Sequence, residues 1–533
     1  MKGAIAAGDP QTVAAGAAML ELDGNAVDAA VAAAFASFVA EAVLTNICAG
    51  GMALIVDGAS QPSGELHQPQ ATVYDFFSTM PSGQVGENAD FRRIMVDFGP
   101  EQQPFYIGRA SAAVPGVVAG LCALAQRHGR LPLARLVEPA VRLAREGAVL
   151  SGALAYVLDI LTPIFTDTPE LAALFAPGGH VYQAGERMRF PQLAETLKRL
   201  GQTGPDLFRT GTVAETIAQD QQVRGGLITA HDLAAYQVRH VPPIRLSYRG
   251  YTVLLPPPAS SGGVLIAFAL KLLETMDVAG LPHTSFEHVR MLAEAMRLTN
   301  HARAMWEASQ GPDEERIGRF LAAGRLAEYQ RDLRAILEGK SPPQTEAISG
   351  GPNATTHISV VDGQGLVVSL TTSAGENAGF LVGDTGVCLN NMLGEIDLHP
   401  GGFHRLPPGA RLSTMMSPAV VLRAGKPVLA LGSGGSNRLR SAITQVISNV
   451  IDFGMPLDEA IDAPRVHFEA DVLQVEGGIS NSVVRQLEGA GYRVNYWPDR
   501  NMFFGGAHAV AQQTGQLVAA GDKRRGGAMA VVE

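Results

Sequence analysis

The run Asn353-Ala354-Thr355-Thr356-His357-Ile358-Ser359-Val360-Val361-Asp362 puts paired threonines at the head of an alternating strand, directly after a small, turn-prone segment. Alternation with period two requires a strand that buries one face. A threonine hydroxyl is a weak nucleophile, and one way to activate it is to free its own α-amine by peptide cleavage, so that the amine becomes the adjacent base. On this reading Ala354-Thr355 is a cut site and the chain is a precursor enzyme. Two plainer readings compete. A threonine in a strand is often simply a β-branched residue on a pleated surface, and Asn353-Ala354-Thr355 also fits the N-glycosylation acceptor pattern of an exposed loop in a secreted protein.

The rest of the chain narrows the choice. Its 533 residues suggest two to four domains or one large layered assembly. With 46% hydrophobic and 17% charged residues, and 60 glycines and 32 prolines scattered without period, it reads as a folded, loop-containing enzyme. A formal net charge of -10 argues against nucleic-acid binding, which needs a basic patch, and favours small-molecule partners. Cys48, Cys122 and Cys388 are odd in number and far apart, so they form no disulfide framework and no metal cluster. The N-terminus shows no signal-peptide core, so a cytoplasmic location is expected, or a periplasmic one if the gene start is truncated. That expectation deprives the glycosylation reading of its context. The most apolar run, Ala29 to Ala40, is too short for a membrane span and reads as a buried helix.

The pattern predicts helices over Thr12 to Leu44 with a break at Gly24-Asn25, over Val117 to His128, Ala134 to Glu146, Val264 to Met276 and Phe286 to Glu307, and through most of Ser151 to Thr229. Strands are predicted at Met52 to Val56 and Tyr251 to Leu255, and as a hairpin, Thr356 to Val361 and Leu366 to Thr372, around Gly363-Gln364-Gly365. Asp313 to Gly350 is charged and then rich in Pro, Ser and Gly, which predicts an exposed linker where a cut is sterically permitted. Strands and helices together imply a layered α/β or α+β architecture.

Val428 to Leu431 reads as a strand running into a glycine-rich turn, Gly432-Ser433-Gly434-Gly435-Ser436, and then a helix from Leu439 to Phe453, which is also the outline of a dinucleotide site. The third fingerprint glycine is missing, and Asp452 ends the helix instead of tipping a second strand. The same glycines could present backbone N–H groups to a developing oxyanion.

Several segments, in order, resemble the γ-glutamyltranspeptidase family of N-terminal-nucleophile hydrolases: Gly24 to Ala30, Ala113 to Gly120, Pro256 to Gly263, Thr355 to Asp362, Leu389-Asn390-Asn391, Met416-Ser417-Pro418, Gly432 to Ser436 and Ala463-Pro464-Arg465. The resemblance implies an α+β fold, a four-layer αββα sandwich. It also implies a single chain that cleaves itself into a large subunit, residues 1–354, and a small subunit, residues 355–533. Thr355 matches the family nucleophile, and Ser373 matches a second threonine that hydrogen-bonds it. Gly434 and Gly435 match the oxyanion-hole glycines. No cofactor and no metal is implied, and the partners are a small amide and the two subunits themselves, with a dimer of heterodimers also open.

Departures fall where substrate is read. Phe77 replaces the arginine that clamps an α-carboxylate, so a bidentate partner is lost. Thr414-Met415 stands where two serines are usual, and Met392-Leu393-Gly394-Glu395 replaces a glutamine and an acidic pair. Glu395 could still hold a substrate amine. The Ser373 to Asn377 stretch departs in length and content, which leaves Phe77, Asn377, Glu395 and Thr414 as the candidate substrate contacts. The resemblance implies cleavage of a γ-glutamyl or related small amide through an acyl-threonine, with transfer to water or an amine. The alternative is an acylase for a non-glutamyl carboxylated amide, glutaryl- or oxamate-like, as in the branch near cephalosporin acylase-like and oxamate amidohydrolase-like members. A non-enzymatic binding relative would not need Thr355, Ser373 and both glycines.

Overall fold

A computed structural model describes residues 1–58, 69–97, 102–343, 354–399 and 401–533. Its centre is a pair of antiparallel sheets. The first has seven strands in the spatial order Ala528–Val532, Gly3–Ala7, Thr356–Asp362, Leu366–Ser373, Gly50–Asp57, Gln70–Phe76 and Arg239–Val241. The second has six, ordered Gln516–Gly521, Gly506–Gln513, Lys426–Gly434, Ala419–Arg423, Tyr251–Leu255 and Ile244–Tyr248.

Period-two alternation sends neighbouring side chains to opposite faces and so builds two cores from one strand. Along the paired strands that follow Thr355, Ile358, Val360, Val368 and Leu370 join the helix Ala26–Ala40 in one hydrophobic cluster. Val367 points the other way and packs with Leu54, Val56 and Val73 against Leu254, Val420 and Ala430 of the second sheet. Polar residues also bridge the sheets: the Ser369 hydroxyl donates to the Leu431 carbonyl at 2.9 Å and the Ser359 hydroxyl to that of His508 at 3.1 Å. The far side of the second sheet is covered by helices Ser261–Leu273, Phe286–Ala308 and Arg438–Ile451. This is a mixed α+β fold.

The helix Ala26–Ala40 is buried along its whole length. Its alanines favour helix, and Asn25 and Asp28 close a capping box at its start. Among the described residues no helix is long and apolar enough to cross a membrane. Cys48, Cys122 and Cys388 are buried free thiols.

Two expectations are corrected. Much of the supposed linker is helical, Asp313–Phe320 and Ala323–Leu337, because Leu326, Tyr329, Leu333 and Ile336 recur at helical spacing and are buried. The rest of that stretch is described only to residue 343; residues 344–353, which take in Asn353 of the acceptor pattern, lie outside the described residues. The glycine run is also not a loop. Gly432, Ser433 and Gly434 continue the strand, paired with His508, Ala507 and Gly506.

Candidate active site

Thr355 lies at the head of a central strand, and the Thr356–Thr372 pairing brings Ser373 of the next strand beside it. In this uncleaved chain the Ser373 hydroxyl accepts from the Gly375 amide at 3.1 Å and donates to the carbonyl oxygen of Ala354. The expectation was a bond to the Thr355 hydroxyl. Instead Ser373 holds the oxygen of the peptide bond that precedes the threonine.

The second sheet closes the other side. A Cβ on Gly434 would stand 2.2 Å from the Thr355 carbonyl oxygen, so the strand can approach that backbone only without a side chain. Gly435 has φ +120°, a left-handed conformation suited to glycine. Arg525 donates from Nη1 to the same Thr355 carbonyl at 3.3 Å. Burial lowers its pKa to about 10, so it remains a cation at neutral pH.

Behind the strand, the fully buried Glu41 accepts the hydroxyl of Thr12 at 2.7 Å and that of Thr356. Burial and the neighbouring Asp9 push it up to about 7. His357 is also fully buried, with its ring nitrogens on the hydroxyls of Thr371 at 2.8 Å and Ser359 at 2.9 Å. Burial and then the charge of His508 hold it well below the usual imidazole range. It is neutral, hydrogen-bonded within the first sheet and packed against Gly432 of the second, and it does not line the cavity.

That cavity is small and is lined by Thr355 and Ser373 together with Phe77, Glu395, Thr414 and the methionines Met392, Met415 and Met416. Five of the eight sequence-derived candidates therefore meet there. Gly434 adjoins Thr355 from the second sheet, and Gly435 follows it beside Gly505 and Arg525. Asn377 stands apart, with its side-chain oxygen accepting from the Gly379 amide at 2.9 Å. Glu395 is buried, and burial and the Glu376 carboxyl hold it well above the usual carboxylate range. Glu376 is itself raised to about 7 by burial. Arg109 does not replace the missing clamp: it pairs with Asp90 and Asp220, each at 3.4 Å, and lies over Phe380.

Other motif residues hold the scaffold. The Asn390 side chain donates to the carbonyls of Cys48 at 2.8 Å and Ala113 at 2.9 Å. Arg465 pairs with Asp522 at 2.8 Å. Asp452 accepts from Arg249 at 2.9 Å and also takes the Tyr248 hydroxyl, so the acid of the dinucleotide reading is committed to packing. Sequence reasoning missed Arg525, Glu41 and Glu376. A charged residue in sequence reads as solvated, and the available hint was that Arg524-Arg525 is followed by Gly526-Gly527 in a strand-rich region.

A strand-leading threonine with Ser373 beside it, lining a cavity on a mixed α+β frame, fits the N-terminal-nucleophile class of hydrolases and acyltransferases. The model of the gamma-glutamyltranspeptidase family matches residues 12–532, and the chain belongs to that family. It is 35% identical over 516 residues to the acylase ACY 1 proenzyme of Pseudomonas sp. (strain V22), spanning 96% of this chain and 90% of that protein. It is 31% identical over 515 residues to the glutathione hydrolase proenzyme of Escherichia coli (strain K12), spanning 92% and 86%. The crystal structure of cephalosporin acylase from Bacillus halodurans shares the fold, with TM-score 0.83 at 24% identity, covering 100% of this chain and 96% of that one.

Proposed function

We propose that the chain cleaves itself at Ala354-Thr355 and then hydrolyses or transfers the acyl group of a small amide through Thr355. The observation that carries this is the hydrogen bond from Ser373 to the Ala354 carbonyl oxygen beside the cavity that Thr355 lines. In the precursor, the Thr355 hydroxyl oxygen adds to the Ala354 carbonyl carbon while Ser373 stabilises the developing oxyanion. The C–N bond breaks, the hydroxyl proton ends on the Thr355 nitrogen, and water hydrolyses the resulting ester. Residues 1–354 and 355–533 become two subunits, held in the four-layer αββα sandwich by the strand pairing between Gly3–Ala7 and Thr356–Asp362.

The freed amine then serves as base. It takes the proton as the Thr355 oxygen attacks a substrate carbonyl, and it gives the proton to the departing amine. Backbone N–H groups at Gly434 and Gly435 are assigned to the oxyanion. Water or a second amine then removes the acyl group.

Glu395 supports a substrate amine, as on a γ-glutamyl donor. Phe77, Met415 and Met416 form an apolar wall without an anion clamp, and Arg109 is engaged elsewhere, which favours the acylase alternative with a non-glutamyl carboxylated amide. Denaturing electrophoresis and intact-mass analysis test the cut. Thr355→Ala should stay whole and inactive and Thr355→Ser should keep part of both functions, whereas a single uncut chain in active wild-type enzyme refutes the proposal. For the donor, catalytic efficiency on glutathione should fall about tenfold or more below that on the best of a set of glutaryl, oxamate and γ-glutamyl anilide amides, because a charged hydrogen bond is absent. A clear preference for glutathione restores the γ-glutamyl reading.

A further inference from the structure

Past Asp397, Leu398, Thr414 and Met415 the catalytic cavity adjoins a larger chamber of about 270 Å³. The two differ in their ionisable side chains. The inner one has no Arg or Lys, only Glu395 in its wall and Asp397 at the boundary, where it accepts the Ser436 hydroxyl at 2.7 Å. The outer one is basic: Arg303, Arg316, Arg405 and Arg411 line it against Glu307 and Asp397, in a chain of formal net charge -10.

Three of these arginines are committed to the protein. Arg303 donates to Glu307 at 2.6 Å. Arg316 pairs with Asp313 at 3.1 Å and lies over the Trp306 ring at 4.3 Å. Arg411 pairs with Asp75 at 3.4 Å and donates to the Gln237 carbonyl at 2.8 Å. Arg405 is exposed, and among the described residues no carboxylate pairs with it.

We infer that the outer chamber is a substrate subsite in which Arg405 holds a carboxylate of the amide, beyond the Thr414-Met415 boundary. This deepens the functional reading given above and rests on it. In the inner cavity Phe77 and Met415 offer an anion no donor, no Arg or Lys is among the lining residues, and the same burial that holds the Glu395 carboxyl neutral disfavours a second buried carboxylate beside it. Outside, a guanidinium fork matches carboxylate geometry, and a wall in which the arginines outnumber Glu307 and Asp397 favours an anion at the one arginine left without a carboxylate partner among the described residues. The substrate class is thus an elongated amide whose anion lies farther from the scissile carbonyl than an inner-wall clamp would place it. That carboxylate could belong to the acyl half or to the amine half.

The test uses the processed full-length enzyme and its Arg405→Ala and Arg405→Lys variants. The substrates are three amides on one scaffold: neutral, carboxylated on the acyl side, and carboxylated on the amine side. Arg405→Ala should lose roughly tenfold in kcat/KM, mostly through KM, on one carboxylated amide, with the neutral amide unchanged and part of the loss restored by Arg405→Lys. The amide that responds identifies the half that enters the chamber. Equal effects on all three, or none, overturn the inference. Calorimetric titration with glutarate gives a readout that needs no turnover: binding should weaken in Arg405→Ala, and equal affinity for both proteins overturns the subsite even if the catalytic reading stands. Failure of the wild type to process or to cleave any amide, with glutarate binding still dependent on Arg405, counts against the catalytic reading alone.

Discussion

Glu41 offers a quantitative test of the buried charge behind the nucleophile. The carboxyl sits at about 7 against an ordinary value of 4.5, through burial first and the neighbouring Asp9 second. A carboxyl whose folded value is raised contributes stability that is fully present below the unfolded value and is lost as pH rises through the folded one. Ionising Glu41 in place should therefore cost the native state about 3 kcal/mol between roughly pH 4.5 and pH 8, at 1.36 kcal/mol per pH interval. Glu41→Gln keeps the shape and can still hydrogen-bond the hydroxyls of Thr12 and Thr356, but it cannot ionise. The assay is urea unfolding of both proteins in the uncleaved Thr355→Ala background at several pH values, with the difference in unfolding free energy as readout. That difference should move in favour of Glu41→Gln as pH rises, by about 3 kcal/mol in total. A difference that stays flat across the range refutes the argument and places a charged, compensated carboxylate at this position.

Three further outcomes follow from the same geometry. Ser373→Ala removes the hydroxyl on the Ala354 carbonyl and should slow self-cleavage by about a hundredfold, followed by electrophoresis over time; unchanged cleavage excludes Ser373 as an oxyanion donor. Gly435→Val forces a branched residue into φ +120° and should lower turnover by about a hundredfold or more if these glycines bind the oxyanion, while normal processing and turnover would rule that role out. Arg525 places a cation beside the Thr355 carbonyl, which disfavours protonation of the freed α-amine. Arg525→Gln should therefore move the acidic limb of the kcat/KM pH profile upward by about one pH unit, and an unmoved limb counts against this electrostatic role.

What could be read from the sequence was what local chemistry decides. The helix Ala26–Ala40 announces itself through its alanines and Asn25 cap, and the hairpin after Thr355 through alternation and a glycine turn. Thr355 was legible as the head of an alternating strand, whereas Ser373 was picked out only by the family resemblance, and the register of the folded hairpin is what places it beside Thr355. The helices after Asp313 were obscured by their charge, although ion pairs such as Arg316–Asp313 and Arg319–Glu315 join neighbours on a helix face. The glycine run was misread because glycine serves two purposes. Gly432 faces the His357 ring and Gly434 the Thr355 carbonyl, so the absent side chains answer a close approach of two sheets, not a turn.

Substrate recognition exposes the limit of reading residue by residue. Phe77 reads as the loss of an anion clamp, and that inference is sound for the side chain, which is apolar and lines the cavity. A guanidinium is nonetheless close by, since Arg411 hydrogen-bonds the Phe77 carbonyl and pairs with Asp75, two residues upstream. Its charge is spent on the backbone and on a buried carboxylate. Asp75 is raised by burial, and Arg411 opposes that rise. Removing Arg411 would leave the buried acid with only the half-exposed Arg239, at 3.6 Å, to offset it, which is costly. A cation so committed organises the wall and is a poor candidate for gripping a ligand. The exposed Arg405, which no pattern in the sequence distinguishes from other surface arginines, is free of that commitment among the described residues. Which arginine reads the substrate is thus decided by what each one already neutralises.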